Sequence, residues 1–162
     1  MKRGLPDAPG IYVLLLRDGI DLPQRCGVPI YTRFNGGRVL YVGIAQKSLQ
    51  ERDFKQHFEG TAGQSTLRKS IGVLFGYQLI PRDHTPGSRK TKFRKDIEGQ
   101  LSQWMRQSLN LFFAQNCTLK AFEDAFSAKF NPPLNLARNT NPVNQEFRYC
   151  VRRLRSAAVV SR

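Results

Sequence analysis

Two tyrosines, an arginine and a histidine in the N-terminal part of the chain are residue types that can act on a phosphate. Tyr12 lies in an apolar run that begins at Gly10, and Tyr41 lies in a second apolar run. Arg52 and His57 follow in a segment with helical signals. A guanidinium can clamp a phosphate, an imidazole can relay a proton, and a phenol beside a cation can help to activate water. This combination favours cleavage of a phosphodiester.

Glu123 is the acidic residue that the pattern singles out for metal binding. In the predicted helix at 119–130, Glu123 falls beside Phe130 at the edge of an apolar stripe that includes Phe122 and Phe126. Asp124 points away, toward solvent. A carboxylate at an apolar border costs desolvation free energy unless a cation holds it there. We therefore expect Glu123 to be a metal ligand and Asp124 to be a surface residue.

Most of these residues also have ordinary structural interpretations. Tyr12 and Tyr41 on buried strands can be core residues with satisfied hydroxyls. His57 can be a surface histidine at a helix end, and Arg52 a solvated helix charge. Asn135, which follows two prolines, can be a turn residue. The functional interpretation needs all of these side chains to meet in one basic cleft.

The chain is strongly basic. Its 26 Lys and Arg residues against 12 Asp and Glu give a net charge of +14, which favours a polyanionic partner. Charge alone also suits a ribosomal-type or merely soluble basic protein, whereas no long amphipathic segment favours a membrane surface. The residues that we expect to contact a nucleic-acid backbone are Arg68, Lys69, Arg89, Lys90, Lys92, Arg94, Lys95, Arg148 and Arg152.

The cysteines predict neither a zinc site nor a disulfide framework. Cys26, Cys117 and Cys150 are an odd number and lack metal-ligand spacing, which favours a reducing compartment. The apolar run at 11–16 is too short for a signal peptide, and no stretch approaches the ~20 apolar residues of a membrane span. We expect a soluble protein in the cytoplasm or on the nucleoid.

The elements that position these residues predict an α+β fold. Apolar runs at 10–16 and 39–45 form an antiparallel pair, joined through an insert with a strong hairpin turn at Asn35-Gly36-Gly37. A third strand follows at 110–116. Helices are predicted from 48, from 65, at 93–109, at 119–130 and at 144–156, the last carrying exposed arginines. The result is a small three-stranded, mainly antiparallel sheet (β-β-α-…-β-α) flanked by helices, with a basic C-terminal helix.

The helix after Ser48 has one residue too many for α-helical spacing. Ser48 and Glu51 form a capping box, yet Arg52 and His57 stand about 140° apart on an α-helix. Removing Asp53 on paper would place them on one face. We therefore predict a one-residue irregularity near Asp53, either a π-bulge or a late helix start, and such bulges are frequent at functional sites.

With these parts assembled, the chain resembles the GIY-YIG nuclease superfamily, in particular its small, restriction-endonuclease-like members. Gly10-Ile11-Tyr12 is similar to the first motif, and Tyr41-Val42-Gly43 to the second, with valine for isoleucine. The resemblance covers about residues 9–136. It departs from the usual pattern in a long interval between the motifs and in the extra residue between the arginine and the histidine. The positions similar to the other family residues are Arg52, His57, Glu123 and Asn135.

The resemblance implies a metal-dependent endonuclease that hydrolyses DNA. One Mg²⁺ or Mn²⁺ ion would bind Glu123, and either Tyr12 or Tyr41 would assist water activation. Arg52 would clamp the scissile phosphate, and the Asn135 amide would orient Glu123 or a tyrosine. His57 would relay a proton or hold a phosphate oxygen. The implied catalytic set is Tyr12, Tyr41, Arg52, His57, Glu123 and Asn135, with Gly10 and Gly43 as backbone positions of the motifs.

The predicted organisation is a nuclease core at 1–136 and a basic extension at 137–162 packed on the same domain. The core carries a hairpin insert at about 17–38 and a helical, basic-loop insert at about 65–109. The expected partner is double-stranded DNA, in keeping with restriction-like cleavage, and the choice between monomer and homodimer stays open. The alternatives are a non-catalytic nucleic-acid-binding module of the same fold and an RNA-directed nuclease or toxin domain.

Overall fold

The computed structural model describes residues 5–115, 119–137 and 139–159. Its main feature is an antiparallel sheet in the order β2-β3-β1-β6. A small β4–β5 hairpin lies apart from it. The strands are β1 (Gly10–Leu16), β2 (Arg33–Phe34), β3 (Gly37–Ala45), β4 (Ile80–Pro81), β5 (Thr91–Lys92) and β6 (Leu109–Gln115).

The helices lie on both faces of the sheet. A π-helix follows β3, and α4 packs on α1. Every helix in the described ranges is too short or too polar to span a membrane. The bounds are Gln50–Phe58 for the π-helix, Thr66–Leu74 for α1, Lys95–Ser108 for α2, Leu119–Phe130 for α3 and Gln145–Ala157 for α4.

The fold is the predicted mixture of helices and an antiparallel sheet, but the sheet is larger than expected. The predicted three strands are present, and the two-residue β2 adds a fourth. The predicted turn is confirmed, because Asn35 and Gly36 have φ angles of 47° and 79°, as a tight two-residue hairpin requires. The third strand begins at Leu109 rather than Asn110, and its predicted end at Asn116 lies outside the described residues.

β1 is apolar along its whole length because both of its faces are covered. Ile11, Val13 and Leu15 pack with Phe130 of α3. Tyr12, Leu14 and Leu16 face the larger core, which the π-helix, α1, α2 and α4 all join. A strand buried on both sides reads as a continuous apolar run rather than an alternating one.

A β-bulge in β3 turns Tyr41 toward the larger core. Leu14 pairs with Tyr41 and Leu15 with Val39, so Leu40 is an extra residue on β3. As a result, Leu40 and Tyr41 both lie on the same side of the sheet, although neighbouring strand residues normally alternate. Bulges re-aim side chains in this way, and here the bulge brings Tyr41 to the face that carries Tyr12.

Two arginines predicted to contact nucleic acid are instead buried. Arg68 is 0% exposed, and its guanidinium donates to both Glu98 Oε2 and Glu98 O. Arg148 is 1% exposed and donates to Asn131 Oδ1 and Asn141 O. These partners satisfy the guanidinium groups inside the protein. The prediction of surface positions for Arg68 and Arg148 is therefore wrong.

The apolar stripe of α3 is also less buried than predicted. Phe130 is 4% exposed, but Phe122 is 39% exposed. Phe126 and Phe130 pack against the sheet cluster, whereas the ring contact of Phe122 is with Phe126, at 6.1 Å between centroids. The N-terminal part of α3 therefore offers an aromatic surface to solvent.

The hairpin insert is fastened to α4 by a disulfide and an amide clamp. Cys26 and Cys150 form a disulfide across a sequence separation of 124. Asn144 exchanges two hydrogen bonds with the backbone of Ile30, each 2.7 Å long. Spacing gave no sign of this pairing, which differs from the expected reduced thiols. Cys117 lies outside the described residues.

We predict that reduction of the disulfide lowers stability by about 2–4 kcal/mol, because the cross-link restricts the unfolded chain. Urea unfolding of the oxidised protein should show this loss on addition of dithiothreitol. Cys26→Ser and Cys150→Ser should each show it without reductant and should be insensitive to reductant. Equal stability of oxidised and reduced wild type would contradict the pairing.

Candidate active site

The sheet and the π-helix meet at a cluster of two phenols and an imidazole. The Tyr12 hydroxyl lies 2.6 Å from His57 Nε2, within a buried hydrogen bond. The Tyr41 ring lies 6.1 Å from the Tyr12 ring and 5.9 Å from the His57 ring, measured between centroids. Tyr12 and His57 are 1% and 0% exposed, whereas Tyr41 is half-buried. Tyr41 is therefore the member of the cluster that extends toward solvent.

The glycines of the two motifs make this close packing possible. A Cβ atom on Gly43 would lie 2.4 Å from both Cζ and the hydroxyl oxygen of Tyr12. A Cβ atom on Gly10 would lie 2.6 Å from the Ala114 carbonyl oxygen and 2.5 Å from Leu49 Cδ1. Gly43 thus provides the surface on which the Tyr12 phenol lies, directly across the β1–β3 ladder.

The π-helix resolves the spacing problem between Arg52 and His57. The turn from 50 to 58 is π-helical over nine residues, rather than containing a single bulge. A π-helix closes at i→i+5, so residues five apart stand about one turn from each other. The positive charge of Arg52 is felt at His57, where it contributes to a lowered pKa. Arg52 also donates to Gln56 Oε1 at 2.7 Å.

His57 is a neutral imidazole held from both sides. Burial, followed by the charges of Arg52 and Arg68, lowers its pKa to about 3. Its Nδ1 lies 2.6 Å from Ser65 Oγ, which also accepts the Arg68 backbone N–H at 3.1 Å as the cap of α1. His57 is fully buried, and its Nε2 contacts the Tyr12 hydroxyl rather than the cavity described below.

The buried Arg68–Glu98 pair supports the His57 backbone. Arg68 Nη1 donates to the His57 carbonyl oxygen at 2.8 Å and to Ser102 Oγ at 3.0 Å. Glu98 Oε1 accepts the backbone N–H groups of Ala62 and Phe93 at 2.8 and 3.0 Å. One ion pair thus connects the end of the π-helix, α1, α2 and Phe93, the residue after β5. A buried ion pair with this many hydrogen bonds fixes the relative positions of these elements.

A cavity of about 1550 Å³ opens beside the cluster. Tyr41, Glu123 and Asn135 all line it, although they come from distant parts of the sequence. Glu123 is 26% exposed at its side chain, and Lys120 Nζ lies 3.4 Å from its Oε2. Asp124 is more exposed, at 65%, and is paired with Lys120 at 2.5 Å. The two carboxylates therefore have the relative exposure that the helical pattern predicts.

The donor set at Glu123 suits a hard divalent ion that takes most of its ligands from elsewhere. Among the described residues, no three His, Cys, Asp or Glu side chains cluster as a metal site would require. Mg²⁺ is commonly bound by one or two carboxylates together with substrate phosphates and several waters. Glu123 and its neighbour Asp124 are the carboxylates on the cavity wall, a donor set that fits that ion and fits zinc poorly.

Asn135 fixes the backbone of β3 rather than a catalytic side chain. Its Oδ1 accepts the Val42 N–H at 2.9 Å, and its Nδ2 donates to the Val42 carbonyl oxygen at 2.7 Å. Both ends of the amide are therefore used on the residue between Tyr41 and Gly43. The expectation that its amide orients Glu123 or a tyrosine directly is replaced by this backbone clamp, which acts on Tyr41 through the chain.

Only some of the predicted basic residues reach the cavity. Lys69, Arg89 and Arg152 line it, as does Arg155 of the basic C-terminal helix. The remaining ones lie elsewhere: Lys90, Lys92, Arg94 and Lys95 are not part of the lining, and Arg94 pairs with Asp96 at 3.1 Å. The contact of Ser65 with His57 was also missed, although Ser65 stands at the start of the helix that was predicted from 65. Nothing in the spacing indicated the Arg68–Glu98 pair.

Gly43→Ala should destabilise the protein by about 1–3 kcal/mol, because the new methyl group overlaps the Tyr12 phenol. Thermal unfolding measures this loss. Gly99→Ala in α2 is the matched control, since a Cβ there meets nothing within 4 Å. The control should gain about 0.5–1 kcal/mol from helix propensity. Equal effects at the two glycines would contradict the packing of Tyr12 on Gly43.

Stability should fall as the pH is lowered from about 6.5 toward 3, because the unfolded chain can protonate His57 and the native protein cannot. We expect urea unfolding of His57→Gln to depend less on pH across that window than unfolding of wild type. His84→Gln, at an exposed loop position, should behave like wild type. A His57→Gln curve parallel to wild type would refute a buried, neutral imidazole.

Comparison with known proteins agrees with this geometry. The family model described as the GIY-YIG catalytic domain matches residues 10–157, from the start of β1 to the end of α4. No curated protein and no solved structure matched in the corresponding searches. The family match covers most of the chain and contains the Tyr12, Tyr41, Arg52, His57, Glu123 and Asn135 positions. The chain belongs to the GIY-YIG nuclease superfamily.

Proposed function

We propose that this protein is a metal-dependent endonuclease that hydrolyses phosphodiester bonds of DNA. Membership of a nuclease superfamily makes a nucleic acid the substrate. The observation that carries the proposal is the shared cavity, where Tyr41, Glu123 and Asn135 meet a group of cations. Tyr41 in turn packs on the Tyr12–His57 pair. Phenol, carboxylate and positive charge are thereby available to one phosphate.

The cavity favours a polymer over a small phosphate ester. Its volume of about 1550 Å³ is larger than a mononucleotide requires, and α4 contributes the cations Arg152 and Arg155 to its lining. Restriction-like cleavage of duplex DNA in the cytoplasm is our preferred role. An RNA-directed activity uses the same chemistry and is distinguished by offering both polymers to one preparation.

Substrate binding would begin with the cations of the cavity wall. Lys69, Arg89 and Arg152 attract the phosphate backbone and bring one phosphodiester toward Glu123. Arg52, beside His57, adds positive charge on the π-helix side of the cluster. Positive charge arranged before the reaction stabilises the extra negative charge of the transition state at little reorganisation cost.

Glu123 would hold one Mg²⁺ or Mn²⁺ ion, which supplies Lewis-acid stabilisation of the phosphate and of the departing oxygen. Lys120 neutralises part of the carboxylate charge at 3.4 Å when no divalent ion is bound. Lys120 is exposed and also paired with Asp124, so it can release Glu123 without leaving a buried charge. The carboxylate therefore stays accessible to a metal ion.

Tyr41 is the phenol we assign to the attacking water. It lines the cavity, whereas the Tyr12 hydroxyl is buried against His57. In this assignment Tyr41 acts as a phenolate: the water oxygen bonds to phosphorus, the bond to the departing sugar oxygen breaks, the Tyr41 oxygen takes the proton of the water, and solvent protonates the departing oxygen. Tyr12 and the neutral His57 hold the Tyr41 ring in place, and Asn135 fixes its backbone through Val42.

Plasmid nicking with Mg²⁺ tests the proposal. Glu123→Gln keeps the size of the side chain but removes its charge, and should lower cleavage about 10²-fold or more. Asp124→Asn is the matched control on the next residue and should stay close to wild type. Cleavage by Glu123→Gln at the wild-type rate would exclude Glu123 as the metal ligand. Salt-sensitive binding without cleavage by wild type, with any divalent ion, would favour the non-catalytic module.

A further inference from the structure

The cavity is lined by cations that α1 and α4 bring together, here called the α1–α4 wall. Lys69 is on α1, and Arg152 and Arg155 are one turn apart on α4. The two helices pack against each other, which places these side chains in one cavity with Glu123. Arg155 and Lys69 are half-buried rather than free in solvent.

Ion pairs in the part of the chain that the structure describes do not involve these cations, Lys69, Arg152 and Arg155. Burial is the main cause of lowered pKa values for Lys69 and Arg155, and the neighbouring Arg155 and Arg152 charges add to it. Like charges held together at a half-buried position destabilise each other unless an anion joins them.

The Arg152 guanidinium is partly used by the fold, whereas the described residues form no such side-chain hydrogen bond with Arg155 or Lys69. Arg152 donates to the Leu136 carbonyl oxygen, so part of its guanidinium serves the fold. Arg155 has no comparable bond within the described chain. The carboxylates that share the cavity, Glu123 and Asp124, are both paired with Lys120 on α3. The α1–α4 wall therefore has its own unmatched positive charge.

We propose that Lys69 and Arg155 form a subsite for a second phosphate of the substrate strand, distinct from the phosphate that is cut beside Glu123. The inference rests on the proposed function, because it takes Glu123 as the position of the cut. Two phosphates held in one cavity are neighbouring groups of one strand. The subsite therefore favours a polynucleotide substrate over a mononucleotide.

The test measures how binding depends on salt, with the Glu123→Gln protein, a labelled duplex and EDTA to prevent cleavage. Each lost phosphate contact lowers the slope of log K against log salt by about 0.9 on duplex DNA. Arg155→Met and Lys69→Met should each lower the slope, and the double substitution should lower it by about this amount, because the two cations share one phosphate. Arg155→Lys, which keeps the charge, should keep the slope.

Arg153→Met is the control on the same helix. Arg153 is exposed and lies over the Tyr149 ring at 5.9 Å, and it does not line the cavity. Its replacement should leave the slope unchanged. Circular dichroism confirms that each variant is folded, and Lys69→Met provides the reading on α1 should Arg155→Met unfold. Unchanged slopes for both Lys69→Met and Arg155→Met, or an equal loss in Arg153→Met, would overturn the subsite.

A duplex with single methylphosphonate linkages locates the contact. One uncharged linkage at a fixed distance from the cut should weaken binding by the Glu123→Gln protein, and the same linkage should have no further effect in the Arg155→Met background. Additive effects of linkage and substitution would show that they act at different places and would overturn the assignment. Wild type that fails to cut with Mg²⁺ while the slopes change would refute the nuclease but keep the phosphate subsite.

Discussion

The hydrogen bond between Tyr12 and His57 joins the two halves of the site. It connects the central strand of the sheet to the π-helix at 2.6 Å, with no exposed surface at His57. Ser65 continues the line from His57 into α1. Tyr41 packs against both rings and faces the cavity. The position of the Tyr41 phenol thus depends on the buried Tyr12–His57 hydrogen bond, although neither Tyr12 nor His57 lines the cavity.

Two departures from regular backbone geometry and one glycine shape this cluster. The bulge at Leu40 turns Tyr41 to the side of Tyr12, and Gly43 leaves room for the Tyr12 ring. The π-helix brings Arg52 and His57 about one turn apart. From the extra residue the sequence predicted a one-residue irregularity near Asp53, because helical spacing is periodic, but not a π-helix over nine residues. The bulge could not be predicted, since β1 and β3 are apolar on both faces and give no register signal.

The net charge could be counted from the sequence, whereas the positions of the charged side chains could not be predicted from it. The net charge of +14 indicated a polyanionic partner, yet Arg68 and Arg148 are buried inside the protein. Their burial depends on distant partners, Glu98 and Asn131, which local patterns do not reveal. The partial burial of Glu123 was predictable because its border position is a property of one helix. The α1–α4 wall and the Cys26–Cys150 link depend on tertiary packing, so neither had a sequence signal.

The most direct test of this arrangement is the ¹⁵N NMR spectrum of the histidine ring nitrogens near neutral pH. The account predicts that the His57 signals are those of a neutral ring, protected from solvent, and that Tyr12→Phe shifts the Nε2 signal while the exposed His84 signals stay unchanged. A charged His57 ring, or a His57 spectrum that is the same in wild type and Tyr12→Phe, would contradict it.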